Sequence, residues 1–140
     1  MRLVLDTNTV LSGLLWQNNP GKLLDLALVG RIELFTSQML LLELADVLPR
    51  AQFAKKIAAS SFSVEGLITR YAVLAQSVEP AIISPTSVDP DDDHVLACAL
   101  AAKADLIVSR DKDLLNLKRF HNIAIVNAAS AIARIEAAAG

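Results

Sequence analysis

The chain has 140 residues, a net charge of −2, and 54% apolar against 20% charged residues. That size and balance fit one folded domain with a sizeable core and exclude a disordered or unusually solvated chain. The lone Cys98 rules out an internal disulfide framework, no apolar run reaches the roughly 18 residues that span a bilayer, and Asp6 interrupts the N-terminal apolar run too early for a secretory segment, so the expectation is a cytoplasmic protein in a reducing compartment.

Residues 2 to 5 read as a short buried strand ending at Asp6. Residues 7 to 19 are polar and turn-like around a helical turn at 10 to 15. Pro20 and Gly21 precede leucines at helical spacing, and Gly30 stops that helix. Residues 32 to 36 form the second strand. Ser37 can cap a helix running to about Leu48, before Pro49. A weaker helix covers 51 to 59, and another runs from Ser63 to about Gln76, with Leu67, Ile68, Tyr71 and Leu74 on one face.

The third strand is expected at 78 to 83. Pro85 and Pro90 bracket a loop, and Asp91 to Asp93 open an Ala-rich helix ending near Lys103. Residues 106 to 109 form the fourth strand, with a helical turn after Asp111, and 123 to 126 form the fifth. Asn127 caps an Ala-rich terminal helix. Strands thus alternate with helices, and they are continuous apolar runs. The pattern predicts an α/β fold with a mainly parallel five-stranded sheet covered on both faces.

Acidic residues recur at the borders of these apolar segments: Asp6 in LVLDTNT, Glu43 in MLLLELADVL, Asp93 in DPDDDHVLACAL and Asp111 in LIVSRDKDLL. Carboxylates are almost never buried without a partner. Singly, each has an ordinary structural account: an Asx turn at Asp6, a helix cap at Asp91 to Asp93 or at Asp111, a solvated helix edge at Glu43. Together they converge on one edge of the sheet, because ligands of an open parallel sheet bind outside the carboxyl ends of its strands. A shared cation accounts for the set, since like charges held together must be neutralised or protonated. Hard oxygen ligands suit Mg²⁺ or Mn²⁺. Zinc would need a His or Cys spacing that His94, His121 and Cys98 do not form. Ions held this way activate water and neutralise charge on a phosphodiester.

In order and spacing these four segments resemble the PIN-domain family over the whole chain. DTN at 6 to 8 resembles the family's opening D-x-N, residues 36 to 48 its helix bearing the second acid, DPDDDHVLACAL the segment with the third, and LIVSRD its strand followed by S/T-x-D. The resemblance implies a single three-layer α/β/α domain over residues 1–140 and Mg²⁺- or Mn²⁺-dependent cleavage of RNA. Asp6, Glu43, Asp93 and Asp111 would be the acidic quartet, supported by Asn8 and Ser109. Asp92 replaces Asp93 if the register slips by one, and Asp113 can assist Asp111. Small members are often VapC-like toxins of toxin–antitoxin modules, which implies a homodimer and a small antitoxin partner.

Arg110 and Lys112 flank Asp111 and are the best candidates for phosphate contacts, although the net charge carries no global signal for nucleic acid. Trp16 can stack on a base, pack inside, or meet a second copy. No Gly-rich loop follows the first strand, which argues against a nucleotide cofactor. Two other readings stand beside the ribonuclease. One is a non-catalytic module of the same fold that binds RNA or protein. The other is a Mg²⁺-dependent phosphoryl-transfer hydrolase with an aspartyl nucleophile, whose expected second Asp is Asn8 here.

Overall fold

The computed structural model describes residues 1–139. Its sheet has six strands in the order β3-β2-β1-β4-β6-β5: β1 (Arg2–Leu5), β2 (Glu33–Thr36), β3 (Ala75–Ser77), β4 (Leu106–Val108), β5 (Arg119–Phe120) and β6 (Ile123–Val126). All neighbours run parallel except β5, which is antiparallel to β6. The helices are α1 (Thr7–Leu15), α2 (Asn19–Leu28), α3 (Gln38–Val47), α4 (Ala54–Ala59), α5 (Val64–Leu74), α6 (Pro90–Ala102), α7 (Lys112–Leu117) and α8 (Ala128–Ala139). None of them is long and apolar enough to cross a membrane.

Side chains alternate across a strand, and here both sets are buried. Leu3, Leu5, Leu34, Leu106 and Val108 face a core filled from α1, α2, α3, α5 and α8 by Val10, Leu23, Leu44, Leu67 and Ile135. Val4, Phe35, Ile107 and Ile125 face the opposite core, closed chiefly by Val95, Leu96, Cys98 and Ala99 of α6 and Leu114 of α7. Helices on both faces make the expected three layers. They also explain the continuous apolar strands, since neither face meets water.

Helix starts follow short polar side chains that accept from the otherwise unpaired first-turn amides. Asn18 accepts from Gly21 N at 3.0 Å, Ser63 from Gly66 N at 3.0 Å, and Asn127 from Ser130 N at 2.8 Å. The expected turn at 10 to 15 is instead the full helix α1. Its polar residues carry little helix propensity, but Asp6 caps it and Val10 and Leu11 are buried, so packing decides. Gly13 lets α2 come close, because a Cβ there would sit 3.0 Å from Leu24 Cδ1 and from the Pro20 backbone.

Two further expectations are corrected. The third strand lies at Ala75–Ser77 and not at 78 to 83. Pro80 has no N–H to donate, so beyond Val78, whose amide donates to Thr36 O at 2.9 Å, the chain leaves the sheet. Ile82 is fully exposed there. The sheet has six strands and not five: the extra β5 is a two-residue hairpin arm, joined to β6 through His121 at φ 53°, too short to show a period.

Ile107 is completely buried at the centre of the sheet. Ile107→Ala is expected to cost about 2–5 kcal/mol, read as a lower urea midpoint with an unchanged m-value. A loss under about 1 kcal/mol would contradict this packing.

Candidate metal centre

β1 and β4 are parallel neighbours, and the chain leaves β1 towards β2 on the other side. Strand order reverses here, which opens a crevice at the carboxyl ends. Asp6 ends β1 inside it, 6% exposed. Its amide donates to Val108 O at 3.1 Å. Its carboxylate is held twice: Oδ1 accepts from Thr9 N at 2.9 Å, and Oδ2 accepts from the Ser109 hydroxyl.

Ser109 is fully buried at the end of β4. Its oxygen also accepts from Asp111 N at 2.9 Å, so one hydroxyl joins the two strand-end acids. Asp111 Oδ1 caps α7, accepting from Asp113 N at 2.8 Å and Leu114 N at 3.3 Å. One carboxylate oxygen from each of Asp92, Asp111 and Asp113 lies within 4.8 Å of the others.

The structure thus brings Asp92, and not Asp93, beside Asp111. Asp92 is 8% exposed in the first turn of α6, and its Oδ2 accepts from Ser87 Oγ at 3.3 Å. Asp93, one helical step round, accepts from Ser87 N at 2.7 Å and from Thr86 N at 3.2 Å, and so fastens the loop before α6. The apolar period of α6 scarcely separates the two, since Val95 and Leu96, three and four residues after Asp92, and Leu96 and Ala97, three and four after Asp93, are all buried.

Glu43 sits half-buried in α3, beside Thr7 and within electrostatic reach of Asp91 and Asp6. Thr7 was not foreseen as part of the site. Its buried hydroxyl lies close enough to favour the charged Glu43, yet makes no hydrogen bond of ordinary geometry. The signal available was its place directly after the first acid, at the start of a capped helix. Asn8 is exposed on the next position of α1, and Arg110 and Lys112 are exposed on either side of Asp111.

Crowding burdens these acids. Burial is the main cause that raises Asp6, opposed by the bonds from Ser109 and Thr9 and reinforced by Asp111. Burial and then Asp91 push Glu43 up to about 7. Burial and then Asp111 push Asp92 up to about 6. Among the described residues no lysine or arginine pairs with them; the ion pair present is exposed, between Asp46 of α3 and Arg50 just beyond its end, at 3.4 Å. A set of carboxylate oxygens with no basic partner fits a hard divalent cation and lacks the nitrogen or sulfur donors that zinc favours.

This fold and this acidic crevice define a protein of nuclease-like class. The chain belongs to the PIN domain family, whose model matches residues 2–113. PIN domains are generally metal-dependent nucleases acting on nucleic acids, and the acids gathered here suit that divalent metal. An uncharacterised protein of Methanocaldococcus jannaschii, MJ1680, is 28% identical over 119 residues, covering 84% of this chain and 76% of that protein. No solved structure matches the chain significantly.

In the metal-free protein the folded state binds more protons than the unfolded chain between the ordinary values of 3.8 and 4.5 and the raised values of about 6 and about 7. Stability therefore falls as pH rises through that window. Melts in EDTA should show Tm dropping from about pH 5 to about pH 8, with a shallower drop in Asp92→Asn. Mn²⁺ at the upper end should raise Tm again. A Tm that rises across the range would contradict this.

Proposed function

We propose that this protein is an endoribonuclease that hydrolyses RNA phosphodiester bonds with Mg²⁺ or Mn²⁺, and that it serves as the toxin of a toxin–antitoxin pair. The observation that carries the reading is the meeting of Asp92, Asp111 and Asp113 beside the buried Asp6 at the sheet's switch point. Asp6, Glu43, Asp92 and Asp111 are the residues that would hold the ion, with Asp92 in the place expected for Asp93. Asp113 is the auxiliary oxygen. A bound Mg²⁺ or Mn²⁺ supplies an acidified water and neutralises charge on the phosphodiester.

The chain's own residues prepare the site. Ser109 and Thr9 fix both oxygens of Asp6, and the first-turn amides of α7 fix Asp111, so these carboxylates need no reorientation. Arg110 and Lys112, exposed beside Asp111, are the basic residues that would meet the substrate's phosphates. Asn8, at the rim, supports the site from α1.

The toxin role rests on the family resemblance and is supported by apolar surface suited to small partners. A groove of about 800 Å³ between α2 and α5 is lined by Leu24, Phe62 and Tyr71 together with the exposed Leu28 (72%) and Val73 (82%). An antitoxin segment would cover it. Met39 and Leu42 leave an apolar strip on α3 for a second copy.

Purified protein should cleave RNA in Mn²⁺ or Mg²⁺ and be silent in EDTA. Asp6→Asn and Asp92→Asn should each lower kcat on the order of 10²-fold or more, whereas Asp93→Asn should stay within about tenfold because its carboxylate holds the 84 to 87 loop. Full activity in Asp92→Asn would sink the site assignment. No cleavage of any RNA, with no heat of Mn²⁺ binding, would favour a non-catalytic binding module.

A further inference from the structure

Trp16 is the C-terminal cap of α1, where the backbone turns extended at φ −127° and ψ 154°. The turn carries its ring out of the core, and it is 38% exposed. The ring is nevertheless held in place. Phe53 packs against it in a T-shaped pair with centroids 6.5 Å apart, and Lys56 Nζ lies over one face, 5.5 Å from the centroid, which leaves the opposite face for a stacking partner. An exposed aromatic surface fixed by its neighbours loses little freedom when something stacks on it.

Trp16 borders a cavity of about 570 Å³, shared with Asn8, Asn18, Phe53, Arg110 and Asp111. That volume is in the range of small-ligand sites, and Asp111 belongs both to this cavity and to the acidic cluster. Whatever fills the cavity therefore lies next to the group held at the acids.

The polar lining is partly committed. Asn18 Oδ1 accepts from Gly21 N at 3.0 Å and its Nδ2 donates to Ser12 Oγ at 2.7 Å. The amide is thus locked, with one N–H still free. Asn8 is exposed, and its side chain makes no hydrogen bond among the described residues, so it offers a donor and an acceptor side by side. A flat aromatic ring, two amides and a neighbouring cation match a nucleobase, which stacks by its face and hydrogen-bonds by its edge. Beyond Trp16 a second cavity of about 770 Å³ continues along α2, with Lys22 and Arg70 in its lining, a course on which further phosphates meet positive charge.

We propose that Trp16, with Asn8 and Asn18, forms a subsite for one unpaired base of the RNA strand whose phosphate lies at the acidic cluster. The inference rests on the ribonuclease reading and deepens it: paired bases have no free face to stack, so the substrate is single-stranded at that nucleotide.

Trp16 is the chain's one tryptophan, and its fluorescence reports directly on stacking. The titrant is a short single-stranded RNA in Ca²⁺, compared with the same RNA as a blunt duplex and with an abasic oligomer of equal length. Saturable quenching by the single strand alone is expected. Trp16→Ala should weaken binding of the labelled strand roughly tenfold to a hundredfold, and Trp16→Phe, which keeps a ring against Phe53, should lose less. Equal quenching by the abasic oligomer, or none by the single strand, would overturn the subsite. RNA cleavage in Mn²⁺ is scored separately. Cleavage without quenching strikes only the subsite, and quenching without cleavage supports the subsite while striking the catalytic reading.

Discussion

A carboxylate at the end of a central strand, walled in by two neighbouring strands and a helix, must be protonated, hydrogen-bonded or matched by a cation. Asp6 is in that position, and much of the site follows from how it is met. The Ser109 hydroxyl donates to it and accepts from the Asp111 amide, so one buried oxygen ties the ends of β1 and β4 together and spaces their acids. The same carboxylate caps α1 through Thr9 N. One side chain thus ends a strand, starts a helix and faces the crevice, and the charge this concentrates is left for something outside the chain to balance.

The architecture makes that concentration possible. Parallel strands aim their carboxyl ends the same way, so acids far apart in sequence arrive at one edge. The two cores leave no freedom in register: a one-residue slip of β4 against β1 would send Ile107 and Val108 to the wrong faces and separate Ser109 from Asp6. Tight packing on both sides is what keeps the acids within a few ångströms of one another although their mutual repulsion opposes it.

Much of this is legible in the residues, and what is not has physical reasons. The four apolar strands at β1, β2, β4 and β6 stand out because both faces are buried. Asp6 and Asp111 stand out because each directly follows or closely trails such a run. The third acid is harder: α6 is apolar on nearly every side, so periodicity scarcely distinguishes Asp92 from Asp93, and only the loop around Ser87 shows which one is already occupied. Helix α1 hides behind Thr, Asn and Ser, whose weak propensity is overridden by a cap and by buried Val10 and Leu11. The run at 78 to 83 looks like a strand, but Pro80 denies it a ladder.

The two outer strands have a consequence for a chain this apolar. Unpaired strand edges are templates on which other chains can pair and aggregate. Here one edge is the three residues of β3, with Gln76 and Ser77 exposed and Pro80 close behind, and the other is the two residues of β5, led by an exposed Arg119. Neither offers enough open backbone to seed a growing stack. Copies of this protein can therefore be crowded without sheets extending from one molecule to the next, and contacts between them fall to side chains on helices and loops rather than to open backbone.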